Sequence, residues 1–169
     1  LVSSSAASDV YKRQVFNDLM SDNSKIFIIN GPNLNLLGRR EPEHYGNKTL
    51  NDIKENCINY VAKKNIELIF EQSNDESVII EMIQAASDSD GIIINAGAYT
   101  HTSIAIHDAL KSSNSPAIEV HLSNIHKREE FRHKSYISGV VDGIIIGLGD
   151  QGYILAIDAV TKIMNERVS

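Results

Sequence analysis

Five short runs rich in β-branched residues, each but the fourth followed by a stretch with apolar residues at helical spacing, constrain this chain more than any other feature. The runs are Ile26-Phe27-Ile28-Ile29, residues 66–70, Gly91-Ile92-Ile93-Ile94-Asn95, residues 116–120 and residues 143–147. Leu50, Ile53, Cys57, Ile58 and Val61 share one face of a helix over residues 50–61. Val78-Ile79, Met82-Ile83 and Ala86 do the same over residues 76–86. Residues 104–110 read as a third helix, with Ser103 or Thr102 as its cap. Ile154-Leu155, Ile157-Asp158 and Thr161 mark a last helix over about residues 151–164.

The strand runs are continuously apolar, without the in–out alternation of a half-solvated sheet. That pattern predicts an α/β protein whose parallel sheet is covered on both faces. Five such strands with helical crossovers suit a three-layer, flavodoxin-like fold of strand order 2-1-3-4-5. In open sheets of this kind, ligands bind beyond the carboxyl ends of the strands, where the order switches. The segments to watch are therefore residues 30–45, 95–103 and 121–133. They carry most of the polar residues that solubility does not explain.

With 169 residues, 42% of them hydrophobic, the chain is sized for one domain with a real core. No apolar run approaches the roughly 20 residues that span a bilayer, so no membrane partner is expected. A formal charge of −6 argues against a general nucleic-acid binder. A local basic cluster, Lys127, Arg128, Arg132, His133 and Lys134, still suits a small anion. The one cysteine, Cys57, reads as a small buried hydrophobe, and a cytoplasmic location follows naturally from such cysteine usage. Residues 1–24 do not resemble the rest. They read as a leader or disordered tail, an expression remnant or a sequence artefact, with helical spacing at residues 15–20. A plastid or mitochondrial presequence is the functional alternative. Residues 25–169 form the single catalytic domain in this reading.

Gly147-Leu148-Gly149-Asp150-Gln151-Gly152 satisfies the G-x-G-x-x-G pattern of dinucleotide sites. Such a site needs a further strand with an acidic residue about 20 positions on, and only one helix follows here. Asp150 would also set a carboxylate beside the phosphates. The motif reads as a tight strand-to-helix turn.

The segment Asn30-Gly31-Pro32-Asn33-Leu34-Asn35-Leu36-Leu37-Gly38-Arg39-Arg40-Glu41-Pro42, with Tyr45-Gly46 close behind, is unusual. Two arginines near a tyrosine offer a route to a phenolate, because adjacent cations favour the charged form. A solvated loop whose tyrosine packs on the domain is the competing reading from spacing alone. The segment also resembles the opening signature of type II 3-dehydroquinate dehydratases. Residues 95–103, beginning Asn95-Ala96-Gly97-Ala98-Tyr99-Thr100-His101, and residues 118–132, containing Glu119-Val120-His121-Leu122-Ser123, resemble the same family. The resemblance covers about residues 25–165.

That resemblance implies anti elimination of water from 3-dehydroquinate to 3-dehydroshikimate through an enol or enolate, with no cofactor and no metal. It implies that Tyr45 removes the C2 proton and that Arg40 lowers the tyrosine's pKa. An ordinary tyrosine, with a pKa near 10, is a poor base at neutral pH without such help. His121 resembles the general acid for the departing C1 hydroxyl. Glu119, two residues earlier on the same side of a strand, would orient its imidazole. Asn33 matches the residue that holds water against the developing enolate oxygen. Asn95, His101 and Arg132 match residues that bind the ring hydroxyls, and Leu122 and Ser123 those that bind the carboxylate. Asp108 matches a residue that reaches a neighbouring subunit's site, and the family implies a dodecamer built as a tetramer of trimers.

Other readings stay open at this point. His101, His121, His126 and His133 could suggest zinc, but no ligand spacing accompanies them. Glu129-Glu130 reads as surface charge. A flavin- or nucleotide-binding protein and a catalytically dead assembly protein on the same scaffold are the alternatives from other functional classes.

Overall fold

A computed structural model describes residues 23–38 and 48–168. The leader with its helical spacing at residues 15–20, and the loop carrying Arg39, Arg40, His44 and Tyr45, lie outside the described residues.

The elements follow the expected alternation: β1 (Ser24–Asn30), α1 (Leu50–Val61), β2 (Ile66–Gln72), α2 (Glu76–Ala85), β3 (Gly91–Asn95), α3 (Ile104–Lys111), β4 (Ala117–His121), β5 (Gly143–Ile146) and α4 (Gln151–Val168). All strand pairs are parallel, in the order β2-β1-β3-β4-β5. The fold is flavodoxin-like, with the order switching beside β1 and β3.

Strand alternation sorts the core into two layers. Ile26, Ile28, Ile93, Ile118 and Val120 pack with Ile53, Cys57 and Val61 of α1 and Tyr153, Ile157 and Val160 of α4. Ile29, Ile92, Ile94 and Ala117 face the other way, onto Ile79 and Ile83 of α2 and Ile106 and Leu110 of α3. β3 and β4 are buried at every residue, whereas the edge strand β5 leaves Ile144 exposed. Cys57 is fully buried, and burial pushes its thiol up to about 12, so it packs as a hydrophobe.

Local chemistry sets the helix starts. Thr49 and Asp52 form a reciprocal capping box on α1, Asp75 caps α2, and Ser103 Oγ accepts from Ile106 N–H on α3.

Several boundaries differ from the pattern reading. β1 starts at Ser24, inside the segment read as leader, with Ser24 N–H donating to the Asn65 carbonyl. β4 starts after Pro116, which has no N–H to donate, and continues through His121. Gly147 is not the end of β5. Its φ of +83° opens the turn into α4, and Gly147 and Gly149 donate to the carbonyls of His121 and Leu122. The glycine motif is thus a tight turn folded onto the end of β4.

Candidate active site

The site grows from the ends of the three central strands. Asn30 and Asn95 are register partners and the last residues of β1 and β3. Both share the strand parity of Ile28 and Ile93, so they point toward the α1/α4 layer. Glu119 and His121 share the parity of Ala117 and point to the opposite side. The chain leaves β1 through Gly31, whose N–H donates to the Asn95 carbonyl at 2.7 Å. A Cβ there would lie 2.2 Å from the Ala96 oxygen, so no larger residue fits this close approach. Asn33 follows in the left-handed region at φ 66°, with its N–H bonded to Asn74 Oδ1 at 2.9 Å.

These segments enclose a cleft of about 140 Å³, close to the roughly 150 Å³ of a cavity known to admit benzene, so one six-membered ring suits it. Among the described residues, Asn33, Asn95, His101, His121, Leu122, Ser123 and Arg132 line it, over an apolar wall of Leu34, Leu37 and Ile125. Seven of the residues singled out from the sequence therefore meet in one place. Glu119 does not line the cleft but lies fully buried behind His121. Asp108 is exposed on α3, along a groove between α2 and α3 that also carries Gln84 and Ser112. Within one chain it does not join the cleft. Arg40 and Tyr45 lie outside the described residues.

The two histidines have defined tautomers. His121 Nε2 is 2.7 Å from Glu119 Oε1, an acceptor, so Nε2 carries a hydrogen and Nδ1 is the nitrogen left for other partners. His101 Nδ1 is 2.7 Å from the Lys134 carbonyl and must donate to it. In the neutral ring, His101 Nε2 is then an acceptor. Burial lowers the His101 pKa, the Lys134 carbonyl opposes that shift, and the charges of His121 and Arg132 reinforce it. The two rings stack with centroids 6.4 Å apart.

Glu119 is surrounded by donors that the sequence did not announce. Its Oε1 also accepts from Thr100 Oγ1 at 3.0 Å and Ser135 Oγ at 2.9 Å, and its Oε2 accepts from Ser138 Oγ. Burial alone would raise this carboxyl. The bonds from His121, Ser138 and Ser135 outweigh it and hold the pKa below the ordinary 4.5. A depressed carboxylate stabilises the fold above its unfolded pKa, and that contribution is lost as pH falls through the folded value. Glu119→Gln replaces an acceptor by an amide facing several donors. Its stability deficit should be largest above about pH 4.5 and narrow on further acidification, as wild-type Glu119 also becomes neutral. Urea midpoints at neutral and acid pH would read this. A deficit independent of pH would mean that native Glu119 is not ionised.

The rim is cationic. Arg132 Nε bonds Glu129 Oε2 at 2.8 Å, and Arg128, which also lines the cleft, reaches the same oxygen at 3.5 Å. Among the described residues, no group of three or more His, Cys, Asp or Glu side chains could hold a metal ion.

The sequence profile of the family described as "Dehydroquinase class II" matches residues 24–161. The chain belongs to the class II dehydroquinases. A relative from Variovorax paradoxus, described as a 3-dehydroquinate dehydratase, is 55% identical over 141 residues, or 80% of this chain and 97% of that protein. Among solved structures, the type II dehydroquinase of Butyrivibrio crossotus superimposes with a TM-score of 0.80 at 50% identity, covering 82% of this chain and 97% of that one. The Propionibacterium acnes type II dehydroquinase gives 0.79 at 42% identity, with the same coverage. Membership of this dehydroquinase family makes the chain a hydro-lyase.

The pattern reading missed Thr100, Ser135 and Ser138, and took Arg128 as one of a basic cluster without placing it in the cleft. Thr100 and Arg128 sit inside the family-like segments and could have been found there. Ser135 and Ser138 follow the last of those segments and carry no local signal, because only the docking of residues 135–140 beside β4 brings them to Glu119.

Proposed function

We propose that the cleft converts 3-dehydroquinate to 3-dehydroshikimate by anti elimination of water through an enolate. The observation that carries this reading is the buried Glu119 bonded to His121 Nε2, which leaves Nδ1 as the nitrogen from which the doubly protonated ring would donate toward a ring-sized polar cleft. The family to which the chain belongs and the printed activity of its relatives support the substrate.

In this mechanism Tyr45, as phenolate, takes the C2 proton, and the electron pair moves onto the C3 carbonyl oxygen. Arg40 stabilises the phenolate. A water held by Asn33 donates to the enolate oxygen. The enolate collapses to form the C1–C2 double bond and expels the C1 hydroxyl, which leaves as water with the proton from His121. Tyr45 then returns its proton and His121 regains one, so no net charge accumulates on the protein.

Asn95, His101 and Arg132 bind the ring hydroxyls, with His101 Nε2 positioned as an acceptor by the Lys134 carbonyl. Leu122 and Ser123 bind the carboxylate. Asp108 acts across a subunit boundary, which the reading completes with a dodecamer arranged as a tetramer of trimers. Such a small lyase suits the cytoplasm, and no helix among the described residues is long and apolar enough to cross a membrane.

The test is direct. Purified protein should convert 3-dehydroquinate to a conjugated enone, followed as rising ultraviolet absorbance without added metal or nucleotide. Folded protein that leaves the absorbance flat would end the proposal.

A further inference from the structure

Tyr153 is the largest fully buried polar side chain in the described structure and has no part in the chemistry above. It lies in α4 between the terminal asparagines of β1 and β3. Its hydroxyl donates to Asn30 Oδ1 at 2.6 Å and accepts from Asn95 Nδ2 at 2.9 Å. The ends of this chain of bonds are backbone groups. Asn30 Nδ2 donates to the Glu71 carbonyl at 3.0 Å, and Asn95 Oδ1 accepts from Gly97 N–H at 3.3 Å.

Those ends determine the direction of every bond between them. A carbonyl only accepts, so Asn30 must turn its amide nitrogen to Glu71 and its oxygen to Tyr153. The phenol has one hydrogen, and Asn30 Oδ1 requires it. Tyr153 can therefore only accept from Asn95, whose nitrogen must face it. At the far end Gly97 N–H only donates, which independently demands the Asn95 oxygen. Burial raises the Tyr153 phenol further above its usual range, so its hydrogen stays in place at any working pH.

We infer that Tyr153 is a positioning residue for substrate binding: through its hydroxyl it fixes which face of the Asn95 amide meets a ring hydroxyl in the cleft. Asn95 lines that cleft and has one Nδ2 hydrogen not engaged by Tyr153. Held this way, the amide offers a donor and an acceptor at set positions, matching a hydroxyl that both accepts and donates. Without the phenolic oxygen, Asn95 Nδ2 and Asn30 Oδ1 lose a buried partner, and the orientation of the Asn95 amide is left to the longer 3.3 Å bond from Gly97 N–H.

The inference rests on the dehydratase reading of the cleft, and its test separates the two. Wild type, Tyr153→Phe, Asn95→Ala and the double variant are compared for KM, kcat and thermal midpoint. Tyr153→Phe should raise KM about tenfold with a much smaller change in kcat. In the Asn95→Ala background the same substitution should change KM by less than about twofold, because the group it positions is gone. A Tyr153→Phe variant with a lower midpoint but unaltered KM would make the residue merely structural and overturn the inference, as would effects that multiply in the double variant. If Tyr153→Phe does not fold, or wild type shows no turnover, the Asn95 side-chain amide in ¹⁵N-labelled wild type decides the positioning by itself. Its hydrogen bonded to Tyr153, assigned by loss of the amide signals in Asn95→Asp, should exchange at least ~10²-fold more slowly than those of exposed Asn35. Exchange at the Asn35 rate would refute a fixed amide.

Discussion

His121→Asn is expected to lower turnover of 3-dehydroquinate by roughly 10²- to 10⁴-fold, the usual contribution of a general acid. Asparagine keeps a polar group that can bond Glu119, so the buried carboxylate retains a donor and the fold should persist. What disappears is a nitrogen able to release a proton to the C1 oxygen, and hydroxide is a poor leaving group without it. The defect should fall on the second half of the reaction alone. Removal and return of the C2 proton would continue, so substrate deuterated at C2 should lose its label to water faster than product appears. Mass spectrometry of recovered substrate reads this. Near-normal elimination by the variant would show that His121 is not the acid.

Tyr45→Phe should be at least as damaging, by about 10³-fold or more, because it removes the base that starts the reaction. Here the deuterium at C2 should stay where it is, which distinguishes this variant from His121→Asn. Binding of a substrate analogue should change little, since the ring is retained. The phenol must be ionised to act, so the rate rises with pH through its pKa. Arg40→Ala removes the cation that favours the phenolate, and the ascending limb of the profile should move to higher pH. Label loss at an undiminished rate in Tyr45→Phe would assign the proton abstraction elsewhere.

The two variants differ in what stands behind them. His121 was legible from its likeness to the family's acid together with Glu119-x-His121, a strand spacing that puts both side chains on one side, and the structure joins them at 2.7 Å. Tyr45 and Arg40 rest on the loop motif and its likeness to the family.

Much of the fold was equally legible. Runs such as Gly91–Asn95 lack alternation because a central parallel strand is buried on both faces, and the helical stretches repeat their apolar residues because each packs one face on the sheet. Boundaries moved where a backbone group overrode composition. Pro116 lacks the donor a strand start would use, and Gly147 adopts a φ of +83° that belongs to a turn.

The likeness to the family named most residues lining the cleft, whereas the sequence by itself determined the periodicities, and with them the layered α/β fold and the strand ends that hold the cleft. These are local properties: side-chain direction along a strand or helix repeats within a few residues. Only the tertiary structure decided which distant groups complete the buried networks. Ser135 and Ser138 reach Glu119 across 16 and 19 residues, and Tyr153 reaches Asn95 across 58 and Asn30 across 123. No periodicity carries such pairings, because they arise when α4 and the segment after β4 dock on the sheet. Each buried polar atom then needs a partner, and its neighbours in space supply it.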